Sequence, residues 1–267
     1  MNNNLAILVI SCDNYSDLWG PFFTSLTKYW PDVPFKIYLG TNYKDFSYPG
    51  VEVIKAGNDI SWADNVRTFL SEIAEDFVLL FLDDIFICDV VNTERIVSLY
   101  EFALRENVDV LKLILPRRTR HYKKEKQIFY MNPLYEYCID TSISIWRKSM
   151  LLSFLKPGYS AWDFEVINSE EIRRKGQYPG LFLTVNKDQF SYINGVIQKK
   201  WVPSSLKQLQ KNGIRVDISH RLTMDLNEVI WENLKTIARI IIPFSIRIKI
   251  KKFLICLGLK GKFVSPR

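Results

Sequence analysis

Two adjacent carboxylates, Asp83 and Asp84, directly follow six apolar residues, Phe77-Val78-Leu79-Leu80-Phe81-Leu82. A continuous apolar run of this kind reads as a strand buried on both faces, which exposes functional groups only at its end. In open α/β sheets, ligands bind in the crevice beyond the carboxyl ends of the strands. Neighbouring acids there repel each other. A hard divalent cation, Mn²⁺ or Mg²⁺, relieves that repulsion and leaves positions open to phosphate oxygens. Asp83 and Asp84 are thus candidate metal and phosphate-site residues, against the plainer reading of a strand that ends in two solvated acids.

A second acidic point lies in Gly158-Tyr159-Ser160-Ala161-Trp162-Asp163-Phe164-Glu165. Aromatic rings cover the C–H face of a sugar while carboxylates accept its hydroxyls, so this segment suits a sugar site. Burial beside Trp162 and Phe164 would raise the pKa of Glu165 towards that of a general base, with Asp163 as the other candidate. The competing role is that of an acid favoured by the dipole at a helix start. Ser11, Asn14 and Tyr15, in the polar turn after the first apolar strand, are candidates to grip a base or ribose; ordinary turn chemistry is the alternative. Trp62, Asn65 and Arg67 begin the helix that feeds the acidic strand and are candidates for the same crevice. Arg67 would suit a diphosphate or be a solvated helix charge.

The elements that must hold these residues alternate as βαβ units. Strands are predicted at 5–11, 35–39, 51–54, 77–82, 108–115 and 142–146, with a final pair at 182–185 and 190–193. Helices are predicted at 19–29, 61–73, 93–107, 148–155 and 166–175. Ser61 is a plausible N-cap with Asp64 three positions on, and Val66, Phe69, Leu70 and Ile73 form an apolar stripe to pack on a sheet. Residues 159–165 read as a turn into the following helix. The segment 116–127, with seven basic residues counting His121, reads as an exposed mobile loop.

With 267 residues, 48% of them hydrophobic and 24% charged, the chain can bury a substantial core. Four scattered cysteines without a CxxC pair fit reduced structural thiols. The N-terminus lacks a basic region before its short apolar stretch and reads as a strand, which sets a cytoplasmic expectation. Net charge is +7, but nine basic residues and no acid lie from Lys235 onward, leaving 27 basic against 29 acidic residues in the body. Residues 236–267 read as a basic amphipathic tail on a domain of residues 1–235. Ile246, Ile250, Phe253, Leu254 and Leu257 recur at helical spacing, while Arg247, Lys249, Lys251 and Lys252 can snorkel to anionic headgroups. The alternatives are a C-terminal helix packed on the body, or a strand over residues 244–251.

The order of these segments, from the Ser-Cys-Asp-Asn-Tyr turn through FVLLFLDDIF and ISIWRKSML to AWDFE, resembles the GT-A-type nucleotide-sugar glycosyltransferases of bacterial surface-polysaccharide assembly. The resemblance spans residues 5–200 and implies an α/β fold, a GT-A-like, Rossmann-type mixed sheet flanked by helices. It also implies a divalent metal at Asp83 and Asp84 that bridges the donor diphosphate, although Leu82 stands where the usual Asp-x-Asp motif has an acid. Glu165, or Asp163, would deprotonate the acceptor hydroxyl, and attack opposite the nucleotide would invert the anomeric centre. His220 would complete the metal shell, or be a solvated or structurally bonded histidine. The implied partners are a nucleotide-sugar donor, with UDP the commonest leaving group, and a polyprenyl-diphosphate-linked glycan acceptor at the inner leaflet of the cell membrane. Nucleic acid is not expected, because the body is near neutral and lacks a stacking platform. A sugar nucleotidyltransferase would want a glycine-rich basic first loop, which is missing. The reading from another class is a non-catalytic membrane- or nucleic-acid-binding α/β protein. GxSxG, P-loop and HExxH motifs do not occur.

Overall fold

The apolar run before the two acids is a strand whose alternate residues feed two cores. Phe77, Leu79 and Phe81 point into one and Val78 and Leu80 into the other, as the period of two requires. The computed structural model describes residues 4–115, 118–123, 125–242 and 246. Along the chain come β1 (Leu5–Ile10), a 3-10 turn (Asp13–Tyr15), α1 (Ser16–Tyr29), β2 (Lys36–Thr41), β3 (Val51–Lys55), α2 (Trp62–Glu72), β4 (Phe77–Leu82), β5 (Ile85–Ile87) and α3 (Thr93–Arg105). There follow β6 (Val110–Lys112), β7 (Arg118–Tyr122), β8 (Glu125–Met131), β9 (Ser144–Arg147), α4 (Lys148–Phe154), α5 (Ala161–Lys175) and β10 (Phe182–Val185). The short strands β11 (Tyr192–Asn194), β12 (Val196–Ile197) and β13 (Lys200–Trp201) then lead to α6 (Pro203–Lys211) and α7 (Leu226–Ile241).

Nine strands form one mixed, mostly parallel sheet in the order β3-β2-β1-β4-β9-β6-β10-β8-β7. β1 pairs in parallel with both β2 and β4, so the strand order reverses between β1 and β4. Helices α1 and α3 cover one face, through Leu18, Phe22, Phe23, Ile96 and Leu99. Helices α2, α4 and α5 cover the other, through Val66, Phe69, Leu151, Phe154 and Phe164. This is the α/β, Rossmann-like architecture expected from the sequence.

Local chemistry accounts for the helix starts. Ser61 caps α2 by accepting the Asp64 N–H at 3.1 Å, as expected. Helix α5 begins at Ala161, earlier than expected, because Ser160 and Asp163 form a reciprocal capping box; the supposed turn at 159–165 is largely the first turn of this helix. Two other expectations change. The basic segment is not a loop where it is described, but the hairpin β7–β8 at the sheet edge, an ordinary place for exposed charge on a strand. The chain after Phe190 pairs with β5, not with β10, whose own neighbours are β6 and β8. Helix α7, Leu226–Ile241, runs across the expected start of the tail; the expectations for residues 243–245 and 247–267 lie outside the described residues.

Candidate active site

Parallel register places Ile10 of β1 beside Leu82 of β4, so the next residues, Ser11 and Asp83, meet at the carboxyl edge of the sheet. The Ser11 hydroxyl donates to Asp83 Oδ2 and its oxygen accepts the Trp19 indole N–H at 2.6 Å. Asp83 is only 5% exposed. Burial, followed by the charge of Asp84, pushes its pKa well above the ordinary range despite the Ser11 hydrogen bond and nearby Arg221. Asp84 is the less buried of the two acids, being partly exposed as a residue. Burial raises its pKa to about 6 against the pull of its own backbone N–H and Arg221.

The turn that holds these acids is fixed from below. The Gly195 N–H donates to the Asp84 carbonyl at 2.7 Å. A Cβ at Gly195 would lie 2.2 Å from the buried Phe86 ring, so only glycine allows strand β11 and the chain after it to approach this closely.

Arg221 supplies the cation. Its Nε and Nη2 donate to Asp17 at 3.0 and 2.8 Å, Nη2 also reaches the Asn14 carbonyl at 3.2 Å, and the guanidinium lies 4.4 Å from the Tyr15 ring centroid. Both side chains of the Arg221–Asp17 pair are 7% exposed. The positive charge beside the two acids thus comes from the segment after α6, whereas Arg67 is elsewhere. Arg67 donates to the Leu155 and Leu152 carbonyls at 3.2 and 3.4 Å and caps the end of α4.

The neighbouring turn is well tied. Asp13 accepts the backbone N–H groups of Asn42, Tyr43 and Lys44 at 3.0 to 3.2 Å. Asn42 Nδ2 is buried with no hydrogen-bond partner, a spare donor near the end of β2. Burial raises the Cys12 thiol, and charge from Asp83 and Asp59 adds to the rise. Asn65 is buried and donates to Asp59 at 2.7 Å, while the Trp62 ring packs 5.1 Å from that of Phe164. The start of α2 is joined to the turn before α5 by Ala63 N–H to the Tyr159 carbonyl at 2.9 Å and Gly158 N–H to Asp64 at 3.0 Å. Asn14 is exposed, with its carbonyl on Arg221.

Across the same edge lies a second polar cluster. Lys112 ends β6 and pairs with Ser144, which in turn pairs with Leu80, so it stands two strands from β4, about 10 Å at ordinary strand spacing. Its ammonium is buried against Asp140. Burial alone would raise Asp140, but Lys112 and the Ser142 hydroxyl and N–H outweigh it and hold this acid below its usual value. Beside them, one oxygen of Glu165 accepts the Thr141 N–H at 2.8 Å and its hydroxyl at 2.7 Å. Burial raises Glu165, opposed by the Thr141 hydroxyl.

Asp163 is spent on structure: it accepts the Ser160 hydroxyl at 2.7 Å and its N–H at 3.1 Å. His220, a candidate for the metal shell or a solvated histidine, lies on the surface. It is 70% exposed and faces Asp217 at 3.6 Å, while its neighbour Arg221 is the residue beside the acids. Among the described residues, no three His, Cys, Asp or Glu side chains gather as a metal-holding group. Arg221, Asp17, Asn42, Thr141 and the Lys112–Asp140 pair were not singled out in the sequence. The Ser160-x-x-Asp163 spacing was a readable sign of the cap.

No protein-family model matches the chain, and no curated protein matches it. Solved structures similar to it include S. aureus TarS 1-349 in complex with UDP-GlcNAc, with 14% identity, 70% of this chain and 57% of that one covered, and a TM-score of 0.48. HddC from Yersinia pseudotuberculosis is 14% identical over 78% of this chain and 98% of that one, with a TM-score of 0.47. A UDP-glucose pyrophosphorylase complexed with UDP-glucose is 6% identical over 78% and 98%, with a TM-score of 0.45. The chain spans about 59% of the length of TarS 1-349 alone. At these identities and TM-scores the function must be read from the residues.

Proposed function

We propose that this chain is a glycosyltransferase that moves one sugar from a nucleoside-diphosphate donor, a UDP-sugar first, to a hydroxyl of a lipid-linked glycan, with inversion. The observation that carries this reading is partly exposed Asp84, backed by buried Asp83 and Arg221 where the strand order reverses. Such a position suits a diphosphate, and the spare Asn42 donor by the turn after β1 suits the nucleoside.

The donor set also fits a divalent cation of the Mn²⁺ or Mg²⁺ type, which uses one or two carboxylates together with substrate phosphates. Asp84 would hold it with Asp83 behind, and when bound it supplies positive charge to the departing diphosphate. The chain's own residues do the rest. The Asp83 carboxylate is held by Ser11 and the backbone of Asp84 is anchored by Gly195, so the turn that carries the acids needs little reorganisation when substrate arrives. Arg221 offsets charge at the site through its field, since four of its five N–H donors are already occupied.

Glu165 is the proposed base. It takes the acceptor hydroxyl proton as that oxygen bonds to the anomeric carbon, and the bond to the diphosphate breaks with its electron pair leaving on phosphate oxygen. Thr141 engages one oxygen of Glu165 and orients the other. No covalent intermediate is required.

The test is turnover. Purified protein with Mn²⁺, a panel of nucleotide sugars and a soluble acceptor analogue should release nucleoside diphosphate from one donor. Release should slow by about 10²-fold or more in Glu165→Gln. Pyrophosphate release from a nucleoside triphosphate and a sugar 1-phosphate would instead make the chain a nucleotidyltransferase.

A further inference from the structure

Helix α7 is mounted with its polar side on the body. Glu228 pairs with Lys200 at 2.6 Å, and Glu232 accepts Gln198 at 3.1 Å and Lys235 at 2.6 Å. The opposite side carries Leu226, Ile230, Leu234, Ile237 and Ile241, which are 74%, 48%, 51%, 50% and 70% exposed. At about 100° per residue these five side chains lie within about 80° of arc, and Glu228 and Glu232 fall diametrically across from them. A surface helix of a globular protein is normally oriented the other way, with its apolar stripe inward. Leu222, just before the helix, is 74% exposed as well. A continuous apolar stripe of this kind, held outward by the Glu228–Lys200 ion pair and the Gln198–Glu232 hydrogen bond on the far side, marks an interaction surface.

We infer that the outward stripe of α7 docks the protein on the surface of an anionic lipid bilayer. Two features select this occupant. The helix ends at Ile241, ahead of Pro243, and no helix among the described residues is long and apolar enough to cross a membrane, so the stripe suits a helix lying in the interface. The sequence that follows it, residues 243–267, contains seven basic residues and no acid, and it mixes them with Ile, Leu and Phe. Positive charge next to an apolar stripe complements anionic headgroups above an acyl boundary; each cation near such a surface tightens binding about five-fold. A second copy of this chain would have to meet that concentration of like charge with its own. The inference stands apart from the catalytic reading, since none of these residues touches the site.

The experiment is co-sedimentation of the full chain with vesicles of phosphatidylglycerol and phosphatidylcholine, with vesicles of phosphatidylcholine alone, and without lipid, alongside measurement of its mass in solution. The expected result is binding to the anionic vesicles that weakens with added salt. Binding should fall at least about ten-fold in Ile230→Glu/Leu234→Glu, both sites being exposed, with the circular dichroism unchanged. If that variant fails to fold, Ile230→Gln/Ile237→Gln serves the same purpose with no added charge. Three outcomes overturn the inference: unaltered vesicle binding in the stripe variants; a wild-type dimer that does not bind lipid and becomes monomeric in the variants, which makes the stripe a contact between copies; and a lipid-indifferent monomer, which means the stripe is covered by the chain's own C-terminal residues.

Discussion

Arg221 and Asp17 form a bidentate ion pair, with donor distances of 3.0 and 2.8 Å, across 204 residues of sequence. The pair closes the segment after α6 over the turn after β1 and brings its charge to Asp83 and Asp84. Arg221→Ala leaves Asp17 buried without a partner, which should cost about 3–5 kcal/mol in denaturant unfolding. Because Arg221 helps to hold Asp84 down, the variant's remaining folded population should also bind a nucleoside diphosphate more weakly at pH 7. Arg221→Lys should recover part of the stability, since a point charge cannot replace a two-pronged donor.

Asp84 should be a stability liability in metal-free protein. Burial raises its pKa from 3.8 to about 6, so ionisation is harder in the folded chain than in the unfolded one. The penalty is absent below about pH 4, grows between the two values and is complete above about pH 6, where two pKa units correspond to about 3 kcal/mol. Asp84→Asn should therefore stabilise the chelator-treated protein by up to about that amount at pH 8 and by little at pH 4. Equal effects at both pH values would show that burial is not what raises this acid.

Glu165 and Asp163 should separate cleanly. Glu165→Gln should lower turnover about 10²- to 10⁴-fold with donor binding intact, as expected on removing a general base. Asp163→Asn should keep turnover and cost about 1 kcal/mol of stability through the weakened cap of α5. The reverse pattern would move the base to Asp163.

The acid limb of kcat/KM should lie above the ordinary glutamate range, because burial raises Glu165 and only its ionised form accepts a proton. Thr141→Val removes the hydroxyl that favours the charged form, so the limb should move to still higher pH. An unmoved limb would mean that another group sets it.

Gly195→Ala should act on Asp84 from a distance. The new methyl would press on Phe86, at 2.2 Å, and displace the chain whose N–H holds the Asp84 carbonyl. A loss of about 1–3 kcal/mol is expected, together with weaker diphosphate binding. Reduced stability with unchanged binding would show that the anchor does not position the acid.

What could be read from the sequence was what short-range patterns encode. The run from Phe77 to Leu82 and the stripe of α2 fixed their own elements, because burial on both faces and on one face leave different periods. The same run marked the end of β4 as the place to look for a site. Arg221 was hidden because its segment is irregular and its partner, Asp17, lies at the far end of the chain. The Lys112–Asp140 pair was hidden for a related reason: β9 enters antiparallel between β4 and β6, and nothing local announces which strands it will separate. The hairpin β7–β8 was misread because edge strands carry the charges that otherwise mark loops. Asp163 was read for chemistry, although the spacing from Ser160 already described a cap.

The most direct test of the site is a calorimetric titration of the wild-type protein and of Asp84→Asn with UDP, GDP, CDP and dTDP, each with and without Mn²⁺. The wild type should bind one of the four, UDP first, and Asp84→Asn, although folded and at least as stable, should bind it at least about ten-fold more weakly. Equal affinity in the two proteins, or no binding of any of the four to the wild type, would contradict the assignment of Asp83 and Asp84 to a donor diphosphate.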